Sequence, residues 1–448
     1  MKRAGLTMAV SAFLTTACNL MPDFVLDSGH LPDQWRNAEH GVTDSPIAPG
    51  WWQTFGSQEL DQLITEALQY NNDLAAATQR IEQARAQTMI AGAELWPILG
   101  ADANMNSTHN ELGESRRRSG NVTLAYEVDL WGANRGRRDA GQARYLSEVF
   151  AREALQLVVM ADVSSAYFAL LATAERKRIT ESFMKNTEDI MLIVESRFQA
   201  GAVSALAVAQ QQTEVANARA NVDLVTQQQA LAENTLAILL GRPPVEFNVR
   251  RQHFSDLTLP VVPSQQPLTL LQRRPDLRQA EMSLQAANLE VGIALAQFFP
   301  RLTINLDTLL ANPQPAGVAL AMAAGLAQPL FQGGRLEGGL ASAKARNAEL
   351  VERYQQSLLV AFKEVEDAAA VRNHSSQRLQ ALNEAVTRAR EAYIIARDQY
   401  RVGAVDYQAL LITQRSLLNS ETAQVQARLD VLQALVQLYR AFGGGWQG

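Results

Sequence analysis

Four segments alternate between apolar and polar residues. Leu99, Ala101, Ala103 and Met105 interleave with Gly100, Asp102, Asn104 and Asn106, and Val122, Leu124, Tyr126 and Val128 with Thr123, Ala125, Glu127 and Asp129. Leu302, Ile304 and Leu306 interleave with Thr303, Asn305 and Asp307, and Val318, Leu320, Met322, Ala324 and Leu326 with small residues. A period of two predicts strands with one apolar face, at about 98–106, 121–131, 301–310 and 317–328. Lengths near 9–11 residues suit strands that cross a bilayer, although a β-sandwich has the same pattern. Ser107–Gly120, with Arg116, Arg117 and Arg118, reads as a loop far from the helices, and Asn312–Ala316 as its short counterpart.

The rest of the pattern is helical. Gln142–Ala200 and Leu340–Val402 contain neither Gly nor Pro. At 1.5 Å per residue each run of about 60 residues can reach ~90 Å. Runs of 39 residues follow, Ala202–Leu240 and Ala404–Phe442, in which apolar residues recur every seven: Val208, Val215 and Val222 in one, Leu410, Leu417, Val431 and Leu438 in the other. That spacing predicts coiled-coil-like packing. Gly201 and Gly403 fall where the chain must reverse between helices.

The pattern occurs twice. Asp73-Leu74 recurs as Asp276-Leu277, Leu130-Trp131 as Leu330-Phe331, and Gly201-Ala202-Val203 as Gly403-Ala404-Val405, all at offsets of 200–203. The chain therefore reads as repeat 1 (51–241), a proline-rich linker (242–268), repeat 2 (269–443) and a short tail (444–448). Each repeat runs helix, two strands, long helix, glycine turn, helix. The long helices are expected at about 135–200, 203–240, 336–402 and 405–442.

Composition narrows the possibilities. The 448 residues carry a net charge of −6, which argues against a nucleic-acid partner. A single cysteine excludes an intrachain disulfide and a Cys-rich zinc site. The five histidines, His30, His40, His109, His253 and His374, lack metal-ligand spacing. The glycines of 332–339 lack the Lys-Ser/Thr ending of a P-loop. No catalytic, cofactor or metal site is expected. No apolar run reaches the ~18–20 residues of a transmembrane helix, a criterion that leaves a membrane β-barrel open.

Lys2 and Arg3 precede the apolar stretch Leu6–Ala17, and the only cysteine, Cys18, follows at once. Residues 1–17 read as a signal peptide. A cysteine at this place resembles the acylation site of bacterial lipoproteins, which would make 18–50 a lipid-anchored extended segment. The alternative is an ordinary signal peptide with an incidental cysteine. Four strands cannot close a barrel, and open edges are not viable in lipid. Two chains would supply eight strands, a barrel filled by its own side chains, whereas three would supply twelve and leave room for a channel.

From Cys18 to Trp446 the chain resembles the outer-membrane factor family, the TolC-like and NodT-like channels of efflux systems. The residues that carry the resemblance are Met21-Pro22-Asp23-Phe24, Trp51-Trp52 with Phe55 and Glu59-Leu60, and Arg273-Arg274-Pro275-Asp276-Leu277. Pro329-Leu330-Phe331 with Gly333-Gly334-Arg335, and the closing Gly443-Gly444-Gly445-Trp446, complete the set. The resemblance implies a mainly α homotrimer: a 12-stranded outer-membrane β-barrel continuing into a periplasmic α-helical barrel. It further implies a passive exit duct for drugs and toxic compounds, served by a periplasmic adaptor and an inner-membrane pump. The outer component of a protein-secretion system has the same fold and is the main rival. A non-conducting periplasmic coiled-coil scaffold is the other.

By the same resemblance the periplasmic end closes just past the second glycine turn. Many relatives carry acids where this chain has Ala409 and Ile412. A constriction around Gln408 and Ile412 is therefore expected, with Arg415 and Tyr400 as ties and Asp406 as the only acid nearby. Gly201 and Gly403 would be the adaptor-docking tips. Asp102, Glu127, Asp129 and Asp307 are expected to face the lumen and to favour cations.

Overall fold

The computed structural model describes residues 20–26, 34–37, 47–110, 113–247, 249, 252–263, 267–312 and 317–446. Cys18 and the signal segment lie outside the described residues, as do 313–316. Along the chain run α1 (Gln58–Tyr70), α2 (Asn72–Ala93), β1 (Ile98–Asn110), β2 (Gly113–Val128), α3 (Ala133–Gln199) and α4 (Ala205–Leu239). The second half holds a short α5 (Leu270–Arg273), then α6 (Pro275–Ala296), β3 (Arg301–Asn312), β4 (Gly317–Ala327), α7 (Arg335–Arg401) and α8 (Tyr407–Ala441). The halves match in length: α2 and α6 have 22 residues each, α3 and α7 67 each, α4 and α8 35 each.

The chain divides into two compact units. The first contains Ala77–Ala151 and Asp276–Leu358, hence the whole sheet. Its four strands are antiparallel in the order β1-β2-β3-β4, so β1 and β4 are edges. The register pairs Leu99 with Leu124, Leu124 with Leu306 and Leu306 with Met322. Every apolar set named above therefore falls on one face of the sheet. Helix contacts in this unit use small residues. Ala140, Ala143, Ala286 and Ala287 are buried, and a Cβ on Gly141 would lie 3.3 Å from the Thr88 Cα.

The expected loop over Ser107–Gly120 is corrected. β1 continues to Asn110 and β2 starts at Gly113, with Ser107 opposite Arg116 and Met105 opposite Arg118. Apolar alternation ends at Met105, but the ladder is made by backbone groups and needs no apolar side chains to continue. At the other end β2 stops at Val128, so Asp129–Trp131 lie outside the strand. Among the described residues α3 also holds an 18-residue window of mean hydropathy 1.7. The chain thus does contain a stretch apolar enough to cross a membrane, but 61% of it is buried within the protein.

The second unit contains His30–Ala76, Arg152–Pro275 and Leu359–Gly448. An aromatic core fills it. Trp51 stacks on Tyr439 at 4.9 Å, and Phe55 meets Phe168 at 4.9 Å. The proline-rich connection is packed onto this unit: Phe254 and Leu257 are buried, and the Arg428 guanidinium donates to the carbonyls of Ser255 and Leu257. Upstream, Trp35 packs on Phe362 and Phe442, while Glu366 accepts from the Arg36 N–H and the Asn37 amide.

Candidate functional site

Both glycine turns belong to the second unit. At the first, Ala202 N–H donates to the Arg197 carbonyl at 2.8 Å and Gly201 has φ +72°. At the second, Ala404 N–H donates to the Gln399 carbonyl at 2.9 Å and Gly403 has φ +78°. Each is a six-residue helix-ending turn whose left-handed position suits glycine. The Arg197 side chain bridges them. It donates to the Tyr400 carbonyl at 2.7 Å and lies over the Tyr400 ring at 4.8 Å.

Just beyond the turns a buried polar network joins α3, α4 and α8. Tyr407 donates to Gln211 Oε1 at 2.7 Å, and Gln211 Nε2 donates to the Thr187 carbonyl at 2.6 Å. Gln414 Nε2 donates to Thr187 Oγ1 at 2.8 Å, and that hydroxyl donates to the Phe183 carbonyl. Thr187, Gln211, Tyr407 and Gln414 are all buried. Burial pushes the Tyr407 hydroxyl up to about 12, helped by the Glu214 charge. Burial also raises Tyr400. Tyr400 is 1% exposed and its hydroxyl has no hydrogen-bond partner among the described residues.

The constriction candidates separate by face. Gln408, Ile412 and Arg415 are exposed at spacings of four and three on one side of α8. Tyr407, Leu411 and Gln414 are buried on the other. Asp406 does not join the exposed line: it is the N-cap of α8, and its Oδ1 accepts from the Ala409 N–H at 2.8 Å. Arg415 has an acidic partner that sequence reasoning missed. Its Nε donates to Glu214 Oε1 at 3.1 Å, and its Nη2 bonds Oε2. The Glu214 side chain is only 6% exposed, and this bond raises the Arg415 pKa. Asp406 is thus not the only acid nearby. The repeat carries no signal for either missed partner: at the offset of 202 that relates Gly201 to Gly403, Glu214 falls on Ser416 and Gln211 on Thr413, not on Arg415 or Tyr407.

On the sheet, Asp102 lies opposite Asn121, Asp307 opposite Thr123, and Glu127 opposite Thr303. These pairings put Asp102, Glu127 and Asp307 on the polar face together. Asp129 does not accompany them. Its carboxylate accepts from the Asn134 N–H at 3.1 Å and the Arg135 N–H at 3.0 Å, and it pairs with the Arg135 side chain. It therefore caps the start of α3. Of the aromatics near the helix-connected strand ends, Trp131 packs on Phe299 at 4.8 Å and donates to the Pro300 carbonyl, while Trp96 and Phe331 are exposed. No cluster of metal-ligating residues occurs among the described residues.

A sheet with one largely apolar face, joined in one chain to paired long helices, is the architecture of the outer-membrane channel class. Residues 63–242 and 267–444 match the outer membrane efflux protein family, and the chain belongs to that family. It is 33% identical over 467 residues to the pyoverdine export outer membrane protein OpmQ of Pseudomonas aeruginosa, covering 100% of this chain and 98% of that one. It is 32% identical over 469 residues to the toluene efflux pump outer membrane protein TtgC of Pseudomonas putida, covering 100% and 96%. Among solved structures it is similar to the outer-membrane channel OprN, with a TM-score of 0.89, 26% identity and coverage of 97% and 100%. The chain is an outer-membrane channel component of an efflux system.

Proposed function

We propose that three copies of this chain form one passive exit duct, each contributing four strands to a 12-stranded barrel and its long helices to a periplasmic helical barrel. The observation that carries this is the free β1 and β4 edges of a sheet with one face that is predominantly apolar from the level of Val128 to that of Gly120. In lipid those edges need partners, and neighbouring copies supply them. An inner-membrane pump drives the substrate through a periplasmic adaptor, which docks at the Gly201 and Gly403 turns. Gln408, Ile412 and Arg415 form the periplasmic constriction, with Tyr400 supporting it from within the protomer. Cys18 is acylated and anchors the chain in the outer membrane. The cargo is a small molecule rather than a protein; relatives are named for pyoverdine export and toluene efflux.

Native mass spectrometry and planar-bilayer recording of the purified protein test the duct. A trimer with discrete conductance steps is expected. A monomer or dimer, or a trimer that conducts no ions, would overturn the reading. Bulky substitutions at both Gly201 and Gly403 are expected to abolish adaptor binding; intact binding and export would remove the docking assignment.

A further inference from the structure

The corrected β1–β2 hairpin places two arginines where the sequence reading had a loop. On the apolar face of β2 the positions run Val128, Tyr126, Leu124, Val122, Gly120, then Arg118 and Arg116. Gly120 is level with Leu310, and Leu310 with Val318, which ends the apolar band on β3 and β4. The next level outward is Met105, Arg118 and Asn312. Arg116 follows opposite Ser107, and Glu114 follows opposite His109. Arg116 and Arg118 are both exposed.

Strand geometry converts these positions into heights. A rise of about 3.4 Å per residue and a tilt of about 40° put Gly120 roughly 21 Å above Val128 along the membrane normal. Arg118 then lies at roughly 26 Å and Arg116 at roughly 31 Å, against an apolar band of about 25 Å in barrels of this kind. The two guanidiniums therefore begin where hydrocarbon ends, on the face that meets lipid. Among the described residues of β3 and β4 the only basic one is Arg301, at the helix-connected end. The basic pair thus occurs once per chain, on one of its two hairpins.

We infer that Arg116 and Arg118 form a binding site for the phosphate groups of the phosphorylated glycolipid that makes up the outer leaflet. This rests on the proposal that the sheet spans the outer membrane with its hairpins outward. A guanidinium offers paired donors that match phosphate oxygens, and residues two apart on one strand face present two such forks side by side. In a trimer each chain would bring one such pair, giving three lipid sites around the rim. Such contacts fix the depth of the barrel, and they tether ordered lipid beside the hairpin.

Native mass spectrometry of the purified full-length protein reads the site, with bisphosphorylated lipid A and its dephosphorylated form as probes. Wild-type protein is expected to retain the phosphorylated probe on the order of tenfold better. The Arg116→Gln/Arg118→Gln protein is expected to lose that preference, Arg116→Lys/Arg118→Lys to keep most of it, and Arg301→Gln to leave it unchanged. Equal retention of both probes by wild type overturns the assignment, as does undiminished preference in the Gln double variant. Bilayer recording of the same wild-type preparation separates the two ideas. Channels without phosphate preference overturn the lipid site alone, whereas absence of channels overturns the duct and the site with it.

Discussion

Arg415 on α8 is bound to Glu214 on α4 through two of its three guanidinium nitrogens, Nε at 3.1 Å from Oε1 and Nη2 against Oε2. The pair is lopsided, because the Arg415 side chain is 53% exposed and the Glu214 side chain 6%. Removing the arginine leaves a carboxylate with little access to water. Arg415→Ala is expected to cost about 1–3 kcal/mol in denaturant unfolding. It is also expected to raise the closed-state conductance, because α8 is freed from α4 next to the proposed constriction at Gln408 and Ile412. Unchanged closed conductance would leave Arg415 a purely structural residue.

Tyr407 predicts an alkaline weakness. Its folded pKa, about 12, lies above the model-compound value of 10.0. The fold thus favours the neutral phenol, and the resulting stability is complete below pH 10 and disappears as pH rises through 12. That amounts to about 2–3 kcal/mol at most. Tyr407→Phe should be less stable than wild type at pH 8, since Gln211 Oε1 loses its donor, and should lose less stability between pH 10 and 12. Thermal unfolding at both pH values checks this. An identical alkaline slope in the two proteins would reject the assignment.

The two kinds of turn glycine should respond differently to a methyl group. A Cβ on Gly443 would sit 2.0 Å from the Arg273 carbonyl oxygen, with φ at +86°, whereas one on Gly201 meets nothing within 4 Å. Gly201→Ala therefore pays only the left-handed strain, about 1–2 kcal/mol. Gly443→Ala must also move backbone and is expected to reduce the yield of folded protein severely. Expression with limited proteolysis measures both, and equal tolerance would contradict the stated contacts.

The N-terminal segment is seated by two other glycines. A Cβ on Gly136 would meet Met21 Sδ at 2.6 Å, and one on Gly292 would meet it at 2.8 Å. Asn288 donates to the Pro22 carbonyl at 3.0 Å beside them. The repeat counterparts of the two glycines are Leu336 and Met89, so the notch has no duplicate at the matching place. Gly292→Leu should expel Met21 and make residues 20–26 accessible to protease while the sheet stays folded. Unaltered cleavage would show that Met21 is held elsewhere.

Three carboxylates share the polar face of the sheet, and they set the expected selectivity. Asp102→Asn/Asp307→Asn should shift the reversal potential in a salt gradient toward zero, from a mild cation preference in wild type. Arg135→Ala should leave selectivity unchanged, because its partner Asp129 also bonds the first turn of α3. Anion preference in the wild-type channel would reject the lumen assignment.

Amino-acid order alone determined the features that are local. Runs without Gly or Pro mark α3, α4, α7 and α8, period-two alternation marks the apolar face of each strand, and the 200-residue offset marks the internal duplication. Each is a periodicity that neighbouring residues impose on one another. Only the tertiary structure decided which side chains meet across about 200 residues: Glu214 with Arg415, Gln211 with Tyr407, Met21 in its two-glycine notch. It likewise turned Asp129 into a helix cap and the polar stretches 107–110 and 113–120 into paired strands. In each case the deciding partner was a backbone group or a distant side chain, which no hydrophobic pattern encodes.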